Sequence, residues 1–88
     1  MISIKKLSTD DFKKMQINEW SVWEKEVSVF DWYYDCVEEC YILNGEIEIT
    51  DENNQVHKLH ENDFVRFDKG LKCKWKIIKP VKKHYRFL

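Results

Sequence analysis

The chain has 88 residues, a length that fits one domain with a modest core. Only 2 Gly and 1 Pro are present, which excludes collagen-like and low-complexity structure, while 4 Trp, 4 Tyr and 5 Phe supply large rings that close a core in few residues. The net charge of −1 hides an asymmetry: Arg66 to the end carries 9 Lys/Arg and 1 acid, against 6 basic and 15 acidic residues before it.

No apolar run is long enough to span a bilayer, and Met1–Lys6 has no apolar segment of signal-peptide length, so no membrane role is expected and the cytoplasm is the expected location. Cys36, Cys40 and Cys73 agree with that, being odd in number and too sparse for a disulfide framework. The basic C-terminal quarter does not make nucleic acid the expected partner. It carries no nucleic-acid motif, and basic strands lying beside acidic ones cancel much of their charge.

In chain order, Ser8–Met15 predicts one short helix, with Ser8 or Thr9 as cap, acids early and lysines late. Almost everything after it predicts strand. From Val27 the pattern alternates: Ser28, Phe30, Trp32 and Tyr34 share one face, and Val29, Asp31 and Tyr33 the other. Cys40–Leu43 and Glu46–Thr50 are expected as two strands joined by a tight turn at Asn44–Gly45. A turn at Asp51–Asn54, a strand Val56–Leu59, a turn at Glu61–Asp63, a strand Phe64–Phe67 and a turn at Asp68–Gly70 follow. Leu71, Cys73, Trp75 and Ile77 then alternate with Lys72, Lys74 and Lys76, which predicts a strand with one buried and one wet side. Pro80 is expected to break it before a last strand, Val81–Phe87. Many short strands between tight turns indicate a sandwich or barrel, without repeat or domain boundary.

Two segments carry a family resemblance. Glu38–Glu46 resembles the end of the first cupin motif, in which two histidines separated by one residue precede a glutamate and, after six intervening residues, a glycine; Glu38 and Gly45 have that spacing. Asn62–Cys73 resembles the second motif, with Asn62 for its first glycine, Asp68 for its proline, Gly70 matching, and Cys73 for its histidine. With the aromatic flanks Trp20, Trp23, Phe30–Tyr34, Trp75 and Pro80–Tyr85, the chain resembles small single-domain cupins of unassigned function. These are related in sequence to the cupin domains of ureidoglycine aminohydrolase and of an ethanolamine-utilisation protein. The resemblance implies an all-β jelly-roll barrel over 20–88, preceded by the helix at 8–15, as one cupin domain over 1–88.

The resemblance also places the metal-site positions. Counted back from Glu38, the two histidine positions fall on Trp32 and Tyr34. An indole nitrogen only donates, and a phenol ligates only at a cost near neutral pH. No metal cofactor is therefore favoured. A divalent ion, if bound, would draw on Tyr34, Glu38, Cys73 and His84. Glu38, inside a barrel among rings, is the candidate general acid or base. Cys73 reads first as a small apolar filler of the buried face. His57 and His60, near a turn, read as solvated.

Two functions remain open at this level. One is a binding module, holding a small, partly apolar or sugar-like molecule in the barrel mouth between Trp23, Trp32, Tyr34, Glu38, Cys73 and Trp75. The other is a small metabolic enzyme of isomerase or hydrolase type using Glu38, with or without a metal. Exposed strand edges lead to the expectation of a homodimer.

Overall fold

A computed structural model describes all 88 residues. The elements are β1 (Ile2–Lys6), α1 (Thr9–Lys14), a 3-10 turn (Ile17–Glu19), β2 (Ser21–Lys25), β3 (Ser28–Tyr33), β4 (Glu38–Thr50), β5 (Val56–Leu59), β6 (Asp63–Phe67) and β7 (Lys72–Phe87). The helix lies where Ser8–Met15 predicts it, with the Ser8 hydroxyl accepting the Asp11 amide N–H and lysines in the last turn. Ile2–Lys6, to which no strand was assigned from the sequence, adds β1 to the sheet by antiparallel pairing with β6.

All strands join one antiparallel system in the order β1-β6-β4-β7-β2, with β3 on β7 and β5 on β4. The 13-residue β4 and the 16-residue β7 pair along nearly their whole lengths, from Glu38 opposite Phe87 to Thr50 opposite Lys74. Each therefore runs through both halves of a jelly-roll-like β fold, and the other strands attach to them. Inward side chains of β4, β6 and β7 form the core: Cys40, Ile42, Ile47, Ile49, Val65, Phe67, Trp75 and Ile77 are all buried.

Two expected strand breaks are not breaks. Asn44–Gly45 does not turn the chain and Pro80 does not end a strand. Both lie in a bulged stretch with three register shifts between Ile42 and Ile47. The physical reason is local. Gly45 adopts φ +118°, and its backbone passes close enough to β7 that an added Cβ would sit 2.8 Å from both the Pro80 carbonyl oxygen and the Val81 Cα. Pro80, exposed at the same irregularity, costs the ladder little. The bulge also changes which residues of β4 face inward, from Cys40 and Ile42 to Ile47 and Ile49. Gly45→Ala should therefore destabilise the fold by about 2 kcal/mol or more, through backbone strain and overlap with backbone that cannot move aside. An unchanged urea midpoint would show that the two strands separate there more easily than their spacing indicates.

The second-motif turn keeps its geometry with different residues. Asn62 adopts φ +70°, a left-handed conformation that asparagine tolerates, and so does the work of the motif's glycine. Gly70 keeps a positive φ of +91°, and its N–H donates to the Tyr34 carbonyl at 2.7 Å. This turn fixes the end of β3 against the start of β7.

Candidate functional site

Four strands bring one set of side chains into a cavity of ≈ 530 Å³ at one end of the barrel. β3 contributes Phe30 and Trp32, with Tyr34 just beyond it; β2 contributes Trp23. From β7 come Trp75, Lys83, Tyr85 and Phe87, and from the start of β4 comes Glu38. Burial orders them in depth. Lys25, Asp31, Trp32 (50% exposed) and Phe87 form the rim, while Tyr34, Glu38, Trp75 and Lys83 are buried.

The rings fix one another. Trp75 stacks on Phe30 with centroids 5.9 Å apart and planes 13° apart, and meets Trp23 edge-on at 5.9 Å. Tyr34 stacks on Phe67 at 4.6 Å and 6°. The Trp75 Nε1–H donates to the Tyr34 hydroxyl oxygen at 3.2 Å, which satisfies the buried indole. Trp32 meets Phe30 and Tyr34 edge-on from the rim.

The polar centre of the cavity is a buried ion pair. Lys83 Nζ donates to Glu38 Oε2 at 2.7 Å, and the two residues are 5% and 4% exposed. The ammonium lies 4.9 Å from the ring centroids of both Trp23 and Trp75 and 5.8 Å from that of Tyr85. Charge in so apolar a place requires a partner, and each ion is the other's. Sequence reasoning singled out Glu38 and missed Lys83. The available signal was its position: it shares a face of β7 with buried Val81 and with Tyr85, so the same alternation that buries them turns Lys83 inward.

The sequence-predicted site residues divide. Trp23, Trp32, Tyr34, Glu38 and Trp75 meet in this cavity. Cys73 does not line it. It is paired with Trp32 across β3–β7 and borders a separate shallow groove with Asp31, Thr50 and Asp51. His84 faces away from the cavity, being one residue out of phase with Lys83; its Nδ1 lies 3.1 Å from the Trp20 carbonyl oxygen. His57, expected to be solvated, is half-buried, with Nε2 2.8 Å from Asp51 Oδ2, and this hydrogen bond holds the Asp51 carboxyl below its ordinary value.

These placements test a metal. Burial, reinforced by nearby Glu38, holds the Tyr34 hydroxyl far above the ordinary phenol range, so it stays a neutral phenol. Burial likewise pushes the Cys73 thiol up to about 11, and His84 is on the wrong face. Glu38 already faces a cation. No three His, Cys, Asp or Glu side chains come together as a metal-holding group. The four donors considered from the sequence do not fit an ion, because Lys83 supplies the positive charge at Glu38.

The cysteines carry a pH consequence. Burial raises Cys40 to about 12 and Cys73 to about 11 from the usual 9.0. The folded state thus holds these protons more tightly than the unfolded chain. Their contribution to stability is complete below about pH 9 and is lost as pH rises through the folded values. Urea midpoints measured at pH 8 and pH 11 should fall less in Cys40→Ala than in the parent chain; equal falls would contradict the assignment.

An antiparallel jelly-roll barrel, the motif glutamate on β4 and a ring-lined cavity at the barrel mouth are together the features of a cupin. The chain belongs to the EutQ-like cupin domain family, whose model matches residues 12–85. A DUF861-family protein of Thermotoga maritima is 44% identical over 100% of both chains, with a TM-score of 0.98. The EutQ protein of Clostridium difficile is 17% identical over 98% of this chain and 66% of its own, with a TM-score of 0.70. A DUF861-family protein of Pseudomonas syringae pv. tomato, of unknown function, is 22% identical over 76% of this chain and 29% of its own, also at 0.70. The last two show the fold alone. No curated protein matches the chain. No helix is long and apolar enough to cross a membrane.

Proposed function

We propose that the barrel binds a small, partly apolar molecule in the aromatic cavity, with the Glu38–Lys83 pair as its polar contact. The observation that carries this reading is the depth order of the cavity: half-exposed Trp32 at the rim, stacked rings along the wall, and one buried ion pair within. Small-molecule sites combine apolar walls with a few fixed polar groups in this way. A thermal-shift screen of metabolites, followed by titration of the tryptophan fluorescence, tests it. Trp32→Ala should fold normally, since the ring is half in solvent, and should weaken a hit about tenfold. Hits that bind parent and variant equally well would move the site elsewhere.

A second reading, a small metabolic enzyme with Glu38 as acid or base, is favoured by one observation: a carboxylate and an amine lie in hydrogen-bond contact inside a cavity large enough for a substrate. Glu38→Gln would then reduce turnover by roughly 10²-fold or more, whereas a pure binder would keep most of its affinity. In either case protein purified without chelator should carry no stoichiometric Zn, Mn, Fe or Ni. Stoichiometric metal lost in Glu38→Ala would overturn the reading of the pair.

A second copy of the chain is the proposed protein partner. β1, β2, β3 and β5 each pair with only one strand, leaving edges that another copy could cover. A light-scattering mass near the 10.8 kDa of one chain would contradict this.

A further inference from the structure

We infer that Lys83 captures the carbonyl group of an aldehyde or ketone ligand as an iminium, with Glu38 as the proton carrier. This rests on the cavity being the ligand site and names the chemical class it takes.

Three features lead there. Lys83 lines the cavity, and its Nζ lies beside Glu38, Trp23 and Trp75, which line it too, so a ligand that enters comes to the amine. Its one hydrogen-bond partner is Glu38 Oε2 at 2.7 Å, so its proton has one acceptor in place. Finally, the surroundings suit a positive charge fixed at this nitrogen, with the Glu38 carboxylate on one side and the Trp23 and Trp75 rings each 4.9 Å from it. An iminium carries the same single charge at the same atom. Its formation therefore leaves the electrostatic balance of the buried site unchanged, whereas a step that created or removed a charge there would not.

The ammonium passes one proton to Glu38, giving a neutral amine and a neutral carboxyl. Nζ attacks the carbonyl carbon; a C–N bond forms as the carbonyl π pair moves to oxygen. One nitrogen-bound proton moves to that oxygen, giving the carbinolamine. Glu38 then protonates the hydroxyl, which leaves as water, and the nitrogen lone pair closes the C=N bond. Glu38 ends as a carboxylate beside the iminium. In sum, ammonium and carbonyl give iminium and water, with no change of oxidation state. The rings at the wall shield the iminium from bulk water, and the rim residues Trp32 and Phe87 lie where the remainder of the ligand emerges.

Benzaldehyde is a suitable probe, since its ring matches the cavity wall, and benzyl alcohol is its non-carbonyl counterpart. The full chain is incubated at pH 7 with benzaldehyde and cyanoborohydride, which reduces iminium to a stable amine, and the adduct is located by peptide mass mapping. Lys83 should be labelled at least about tenfold faster than any exposed lysine, with about a hundredfold loss of rate in Glu38→Gln. Lys83→Arg, which keeps the cation and so the fold, should lose that adduct and leave the slow surface labelling intact. Benzyl alcohol quenching the tryptophan fluorescence, with Lys83 labelled no faster than surface lysines, would overturn the covalent step and leave the binding site standing. Neither compound quenching, with no preferential adduct, would overturn both. Should Glu38→Gln unfold, as its circular dichroism would show, the rate comparison between Lys83 and the surface lysines in the parent chain decides alone.

Discussion

Removing either member of the Glu38–Lys83 pair alone should lower stability by about 3–5 kcal/mol, while removing both should cost far less. The pair is almost fully buried, and it is the only ionic contact that either residue makes. Glu38→Gln leaves an ammonium among rings without a counter-charge, and Lys83→Met leaves a carboxylate in the same condition. In the double variant Glu38→Gln/Lys83→Met neither charge remains, and the methionine thioether can lie against the same tryptophan faces. For 88 residues a total stability of about 4–13 kcal/mol is expected, so each single variant should lose a large share of it. Urea midpoints of the four proteins close a double-mutant cycle. Additive losses would mean that the two charges are solvated independently and that the cavity is wetter than its walls indicate.

The second large effect is expected at Trp75. It is 2% exposed, stacks on Phe30, packs against Trp23 and Phe67, lies under the Lys83 ammonium and donates to Tyr34. Trp75→Ala should cost about 3–5 kcal/mol, the usual range for emptying so large a buried volume. The loss should extend beyond volume, because the Tyr34 hydroxyl would lose its donor and the Lys83 cation one of its ring faces. Trp75→Phe separates these contributions. It restores much of the packing and the ring face but not the hydrogen bond, and should recover more than half of the loss in thermal midpoint. A variant Trp75→Ala as stable as the parent would show that Phe30 and Phe67 collapse into the space.

What the sequence made legible follows from which signals are local. The alternation of Leu71–Ile77 with three lysines fixes a face without help from the rest of the chain, and the structure buries each of those inward residues. The motif spacing singled out Glu38 and Gly70, which the structure places as the cavity carboxylate and in the turn that binds Tyr34. Asn44–Gly45 and Pro80, by contrast, carry the same local preferences whether the chain turns or bulges. Only the partner strand decides between the two, and here each lies opposite the other. Lys83 is harder to read for a similar reason. In Lys82–Lys83–His84 basic residue types occupy successive positions, so composition cannot say which face is inside. Pairing with β4 does: Ile42, fully buried, lies opposite Lys83, while Lys82 reaches outward to Glu24. The acidic and basic strands do lie side by side, through Arg86 with Glu39, Lys82 with Glu24 and Lys79 with Glu46.

The position of β7 has a consequence for how the protein comes into being. It is the neighbour of β2, β3 and β4 alike, yet it is the last strand of the barrel to be synthesised. Until it leaves the ribosome, β2 and β3 have no strand to pair with, and β4 lacks its longest partner. β1, β4, β5 and β6 can pair among themselves before it, but closure of the barrel waits on β7 and on contacts distant in sequence, the kind that makes folding slow. During that interval the tryptophans of β2 and β3 are exposed on an unfinished chain, which makes this the stage at which a chaperone would find most to hold.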